Sequence, residues 1–192
     1  MNVIWRYDNM NAIEIMMNEH RYIERMLKVV RAACFKVLKN DIYDYSDFDL
    51  IIGFIKEYAD GHHHNKEEIF LFNKMVENLG VLGEKLVKHG MLVEHDFGRL
   101  YVKNLEEALK RVKAGAEEAK LDLIANAISY CDLLTRHIDK EDRVVYTFAK
   151  RELKEEIMLQ IDAQCAQYER EYESVSYKNI EILEVLESKY LL

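Results

Sequence analysis

The sequence has no proline among its 192 residues and only seven glycines. With no proline and few turn clusters between alternating segments, the chain reads as a set of helices rather than a sheet protein. Cysteine is as sparse. Cys34, Cys131 and Cys165 are odd in number, far apart and never in a CxxC pair, which argues against a disulfide framework or a thiolate zinc site. They read as small buried hydrophobes in a reducing compartment. No apolar run approaches the roughly 18–20 residues that a spanning helix needs, and the opening MNVIWRYDNMNA lacks a basic region followed by a hydrophobic stretch. A cytoplasmic protein with no membrane partner is expected. Positive charge is in deficit, 27 Lys and Arg against 35 Asp and Glu for a net charge of −8, and no basic stripe stands out. Nucleic acid is therefore not an expected partner.

What is present is a foldable mixture, 49% hydrophobic and 32% charged. Asp, Ser, Asn and Gly punctuate the chain near residues 8–11, 40–49, 78–83, 114–122 and 174–179. The intervals predict helices over about 11–38, 47–78, 83–113 and 118–150, then 152–173 and 177–190. Such short connections make successive helices antiparallel neighbours. The expected fold is all-α: an up-down-up-down four-helix bundle over residues 1–150, with a C-terminal helical extension over 151–192. That extension, with Ile157, Ile161, Cys165 and Tyr168 at helical spacing, is expected to cover the bundle's side or to mediate a homodimer.

The apolar stripes show where chemistry would sit. The first helix places Ile13, Met16, His20, Ile23, Leu27, Val30, Cys34 and Val37 on one seam, interrupted only by histidine. In the second, Ile52, Ile55 and Ala59 lead to His63, Glu67 and Phe70. The third carries Met91, His95, Gly98, Val102, Leu105, Leu109 and Val112, again with one histidine. The fourth reads Leu123, Ala127, Tyr130, Leu134, His137, Glu141, Val144 and Phe148, with His137 and Glu141 one turn apart. One inward histidine is an ordinary core residue. Four, with two inward carboxylates, are not, because a buried carboxylate is costly unless it is paired or bound to metal. Imidazole and carboxylate donors suit iron, manganese or zinc, and a site without cysteine disfavours structural zinc. Since carboxylates can bridge, two ions fit these six ligands better than one, leaving positions for an oxo or hydroxo bridge and an exogenous small molecule.

Four stretches, Glu19-His20-Arg21, His63-His64-Asn65-Lys66-Glu67-Glu68-Ile69-Phe70-Leu71-Phe72, Glu94-His95-Asp96-Phe97-Gly98-Arg99 and His137-Ile138-Asp139-Lys140-Glu141, occur in that order. Over about residues 11–150 they resemble the hemerythrin-like (HHE cation-binding) family. The resemblance implies a four-helix bundle around a non-haem di-iron centre, two oxo- or hydroxo-bridged iron ions held by His20, His63, Glu67, His95, His137 and Glu141. Oxygen-carrying hemerythrins use a fifth histidine one turn before the third-helix one, where this sequence has Met91. The set resembles instead the four-histidine, two-glutamate version found in iron-sulfur-repair di-iron proteins, although no cysteine-containing region precedes His20 and no proline follows Leu71-Phe72.

His62 and His64 flank the chosen histidine. At roughly 100° per residue only one or two of the three can face inward, so both are expected at the surface or behind a ligand, and His64 with Glu68 forms a rival pair to His63 with Glu67. Glu24 is expected to be solvated or to orient a ligand. His89 is expected to be exposed. Met91 is expected to wall an open coordination position. Tyr58 and Tyr130 are the tyrosines expected to matter as hydrogen-bond donors or oxidisable neighbours. The leading functional expectation is a di-iron protein that binds or senses a small oxidant, O2 or else NO or peroxide. The alternatives are a di-iron oxidoreductase (peroxide or NO turnover, or iron-sulfur cluster repair) and a metal-stabilised interaction module.

Overall fold

A computed structural model describes residues 10–40 and 44–191. The opening residues 1–9, for which no leader pattern is expected, lie outside them. Six helices account for nearly all of the described chain, and no strand occurs among these residues. Helix α1, Ala12–Lys39, starts at a reciprocal cap in which the Asn11 side chain accepts from the Glu14 amide and Glu14 accepts from the Asn11 amide. It ends where Asn40 turns left-handed at φ 53°. Helix α2 (45–78) begins on Asp44, which accepts from the Ser46 amide. Gly80, at φ 58°, separates it from α3 (80–113), and Gly115, at φ 92°, separates α3 from α4 (119–152). Extended Leu153 leads into α5, Glu155–Glu171, and α6, Glu173–Tyr190, follows after Tyr172. The last break thus falls at Tyr172 rather than at 174–179.

Two apolar clusters make up the core. One gathers Tyr22–Val37 of α1, Phe48–Ala59 of α2, Val102–Val112 of α3 and Ala119–Ile138 of α4. The other gathers Ala12–Met16, Leu71–Met75, Val87 with Met91, and Val145–Ala149. Helix α1 runs from the second cluster to the first, α2 returns, α3 repeats α1 and α4 repeats α2, which is the up-down-up-down order. The buried polar residues Glu19, His20, His63, Glu67, His95, His137 and Glu141 form a belt between the two clusters. Helix α6 adds Leu183, Leu186 and Tyr190 to the first cluster, and α5 adds Ile161 and Cys165 to the second.

The helices are wound more widely at the belt. Residues Ile55–His64, Glu67–Phe72, Val87–Met91 and Glu141–Val145 are π-helical, a winding that recurs at functional sites. An extra residue per turn shifts the inward stripe by one. Beyond Glu67 the buried residues are Leu71, Phe72 and Met75 rather than Phe70, and beyond Glu141 they are Val145, Tyr146 and Ala149. Val144, expected inside, is 50% exposed.

Candidate metal centre

The belt is built twice, once from α1 and α2 and once from α3 and α4. Each histidine turns Nδ1 outward to a carboxylate, which leaves Nε2 facing the bundle axis. His20 Nδ1 donates to Asp142 at 2.7 Å and His95 Nδ1 to Glu68 at 2.7 Å. His63 Nδ1 donates to Glu19 at 2.9 Å and His137 Nδ1 to Glu94 at 2.9 Å. The acceptors occupy matched places: Glu19 and Glu94 precede His20 and His95, while Glu68 and Asp142 follow Glu67 and Glu141. Each is secured in turn, Glu19 by Lys66, Glu94 by Lys140, Asp142 by Arg21 and Glu68 by Arg99. Anchoring of this kind fixes the ring and its tautomer and makes the inward nitrogen a better donor to a cation.

Glu67 and Glu141, both fully buried, lie between the two histidine pairs. Glu67 Oε2 is 3.5 Å from His63 Nε2 and 3.6 Å from His95 Nε2. Glu141 places Oε2 3.3 Å from His20 Nε2 and Oε1 3.1 Å from His137 Nε2. His63 Nε2, Glu67 Oε2 and both Glu141 oxygens lack a hydrogen-bond partner, an expensive state for buried polar atoms that a cation relieves. Burial and the neighbouring Glu141 push the Glu67 carboxyl well above its usual range. Burial and the charge on His20 push His63 down to about 4, which leaves the neutral imidazole that a metal requires. Burial works against charge on His137 too, but Glu141 and Glu94 outweigh it and raise His137 to about 9.

His20, His63, Glu67 and Glu141 bring donor atoms within 4.8 Å of one another, and so do His64, His95 and His137. The arrangement therefore comprises two adjoining donor groups able to hold metal. The sequence model of the Hemerythrin HHE cation binding domain matches residues 11–149. The chain belongs to that family. Among curated proteins none matches it. The hemerythrin-like domain accounts for the four helices around the belt; α5 and α6 lie beyond the match.

All six histidines and glutamates picked from the seam are buried in the belt. His62 and His64, expected at the surface or behind a ligand, are not at the surface: they are 1% and 4% exposed, and His62 lies behind His63, its Nε2 3.2 Å from the Glu19 carboxylate that orients the His63 ring. The π winding of Ile55–His64 takes a smaller angular step, which keeps His64 beside His63 on the inner side, while His62 is covered by Tyr168 and Glu169 of α5. The rival pair of His64 with Glu68 does not form: His64 Nδ1 donates to Asp60 at 3.2 Å, and Glu68 serves His95. Glu24 points outward and pairs with Arg21 at 2.9 Å, His89 is exposed and Met91 is buried in the second apolar cluster.

His62 faces the C-terminal extension. With Glu19 and Glu169 it forms a third cluster of donors, but the ammonium of Lys66 already lies within hydrogen-bonding distance of all three. That cluster carries its own internal cation. The tyrosine that enters the belt is Tyr146, whose hydroxyl donates to Glu67 and lies 3.5 Å from His20 Nε2, its ring stacked on His20 at 5.6 Å. Tyr58 stacks on His62, and Tyr130 lines a cavity beside His95. Tyr146 escapes a 3.6-residue reading because it follows the π turn Glu141–Val145, where the inward stripe advances by one.

Proposed function

We propose that this hemerythrin-like domain is a non-haem di-iron protein that binds or senses a small oxidant, dioxygen or else nitric oxide or peroxide. His20, His63, Glu67, His95, His137 and Glu141 are its proposed ligands. The observation that carries the reading is that four carboxylate-anchored imidazoles converge on two buried carboxylates, each lying between the two histidine pairs. Such carboxylates suit a bridge between two ions, and imidazole with carboxylate suits iron. An iron pair bound there would supply electrons to an oxidant. The protein holds the imidazoles in their donor tautomer, flanks them with two apolar clusters and keeps the Tyr146 hydroxyl proton directed at Glu67. A cavity of about 240 Å³ lined by His64, His95, Gly98 and Tyr130 gives a small molecule a place beside the belt.

The test is the absorption spectrum of iron-loaded, anaerobically reduced protein as oxygen is admitted and withdrawn, with iron per chain measured on the same sample. A reversible charge-transfer band with two irons per chain is expected. Irreversible oxidation, with peroxide or nitric oxide turned over at the expense of an added reductant, would assign the oxidoreductase alternative. Failure to take up iron would overturn the iron assignment.

No helix among the described residues is long and apolar enough to cross a membrane. Three buried, unpaired cysteine thiols accord with a reducing, cytoplasmic setting. A homodimer through the C-terminal helices is proposed from outward Leu159 and Val185, which are 61% and 62% exposed, and the mass of the full chain in solution tests it.

A further inference from the structure

The two halves of the belt are not equivalent, and His64 breaks the symmetry. Its counterpart in the second half is Ile138, a buried apolar residue that offers no donor. The His64 ring is 4% exposed and stacks on His95 with centroids 3.8 Å apart and planes within 11°. Its Nε2 has no hydrogen-bond partner, and its donor atom shares a group with those of His95 and His137, all within 4.8 Å. Packing alone would not require the outer face of the ring to be tethered. Yet Nδ1 donates to Asp60, and Asp60 accepts from Arg99 at 3.0 Å. The same guanidinium donates to Glu68 at 2.7 Å, and Glu68 orients His95. One arginine thus sets two adjacent imidazoles through two carboxylates, the anchoring that the other belt histidines receive.

From this geometry we infer that His64 is an additional metal ligand, completing with His95 and His137 the imidazole set of one ion. The two sides of the belt would then offer unequal donor sets to metal, the imidazoles of His64, His95 and His137 on one and those of His20 and His63, with the Tyr146 hydroxyl nearby, on the other. The cation class is one that accepts neutral nitrogen donors, iron, manganese or zinc. The inference rests on the metal-centre reading above and extends it to a residue outside the six.

The experiment compares wild type, His64→Gly and His64→Gln for Fe(II) stoichiometry and affinity, by anaerobic competition with a chromophoric chelator, with the thermal transition recorded on each sample. Wild type is expected to bind two ions. His64→Gly is expected to keep its fold and to hold one ion about tenfold or more weakly. Added imidazole, entering by the cavity that borders His64, is expected to restore the lost affinity. Both ions bound at wild-type affinity by His64→Gly would overturn the assignment. Weakened binding that imidazole fails to restore would also overturn it, because it would mark a packing role. Should the glycine variant not fold, His64→Gln carries the test, and wild-type affinity there refutes the role. Wild-type protein that binds no metal would refute the metal-centre reading and this inference together.

Discussion

Replacing Lys66 by methionine tests how the C-terminal extension is coupled to the metal-binding belt. The Lys66 ammonium is fully buried and pairs with Glu19 of α1 and Glu169 of α5, carboxylates whose side chains are 0% and 4% exposed. Burial alone would raise the Glu19 carboxyl; Lys66, with His62 and His63, holds it well below its usual range instead. A methionine fills much of the same volume but leaves two buried carboxylates without their ammonium. Removing one partner from a buried ion pair costs about 3–5 kcal/mol, and at this chain length each kcal/mol lowers the melting temperature by about 2–4 °C. Lys66→Met is therefore expected to melt roughly 6–20 °C below wild type at pH 7. Glu169→Gln in the same chain should recover part of the loss. The deficit should also shrink as pH falls. In wild type the depressed Glu19 contributes stability above the ordinary carboxylate pKa and loses it in acid, whereas in the variant Glu19 carries a penalty at neutral pH that protonation removes. Scanning calorimetry of metal-free protein at several pH values reads both effects. The exposed pair of Lys178 with Glu57 at 2.7 Å is the control, because Lys178→Met should cost no more than about 1 kcal/mol. A Lys66→Met transition within about 3 °C of wild type would refute the reasoning.

Asp142→Asn and Glu94→Gln, which alter the acceptors of His20 and His137, are each expected to weaken metal binding by about 10–100-fold without unfolding the chain; unchanged affinity in chelator competition would show that these carboxylates do not tune the ligands. Loading metal at pH 7 is expected to release protons, because metal-free His137, raised to about 9, is protonated there, so affinity should rise with pH up to that value. Titration calorimetry in buffers of different ionisation enthalpy measures the release, and heats independent of buffer would contradict it. Leu183→Ala, at a fully buried position where α6 joins the first apolar cluster, is expected to cost about 2–5 kcal/mol in chemical denaturation. An unchanged midpoint would mean that α6 does not share the bundle's cooperative unfolding.

The seams of α1 and α3 were legible because their inward residues keep one α-helical period: Met16, His20, Ile23 and Leu27, or Met91, His95, Gly98 and Val102, all fall inside. The seams of α2 and α4 were legible only as far as Glu67 and Glu141. After those residues π winding advanced the stripe by one, so Phe70, Val144 and Phe148 gave way to Leu71 and Phe72, and to Val145 and Tyr146. A period of 3.6 cannot anticipate a turn closed by an i→i+5 bond, and the same change kept His64 inside, while α5 covered His62. The carboxylates that orient the histidines were hidden for another reason. Asp142 serves His20 across 122 positions and Glu68 serves His95 across 27, and spacing within one helix carries no trace of such pairs.

By itself, then, the sequence determined the helical class, the order of the four helices and the six inward histidines and glutamates. Those properties follow from local propensity and from the cost of placing polar groups on an apolar seam. Only the tertiary structure decided that both carboxylates lie between the histidine pairs, that Lys66 supplies a cation beneath α5, and that His64 and Tyr146 make the two halves unequal. Each of these depends on the distance between residues of different helices, which packing sets and a single helix's periodicity does not encode.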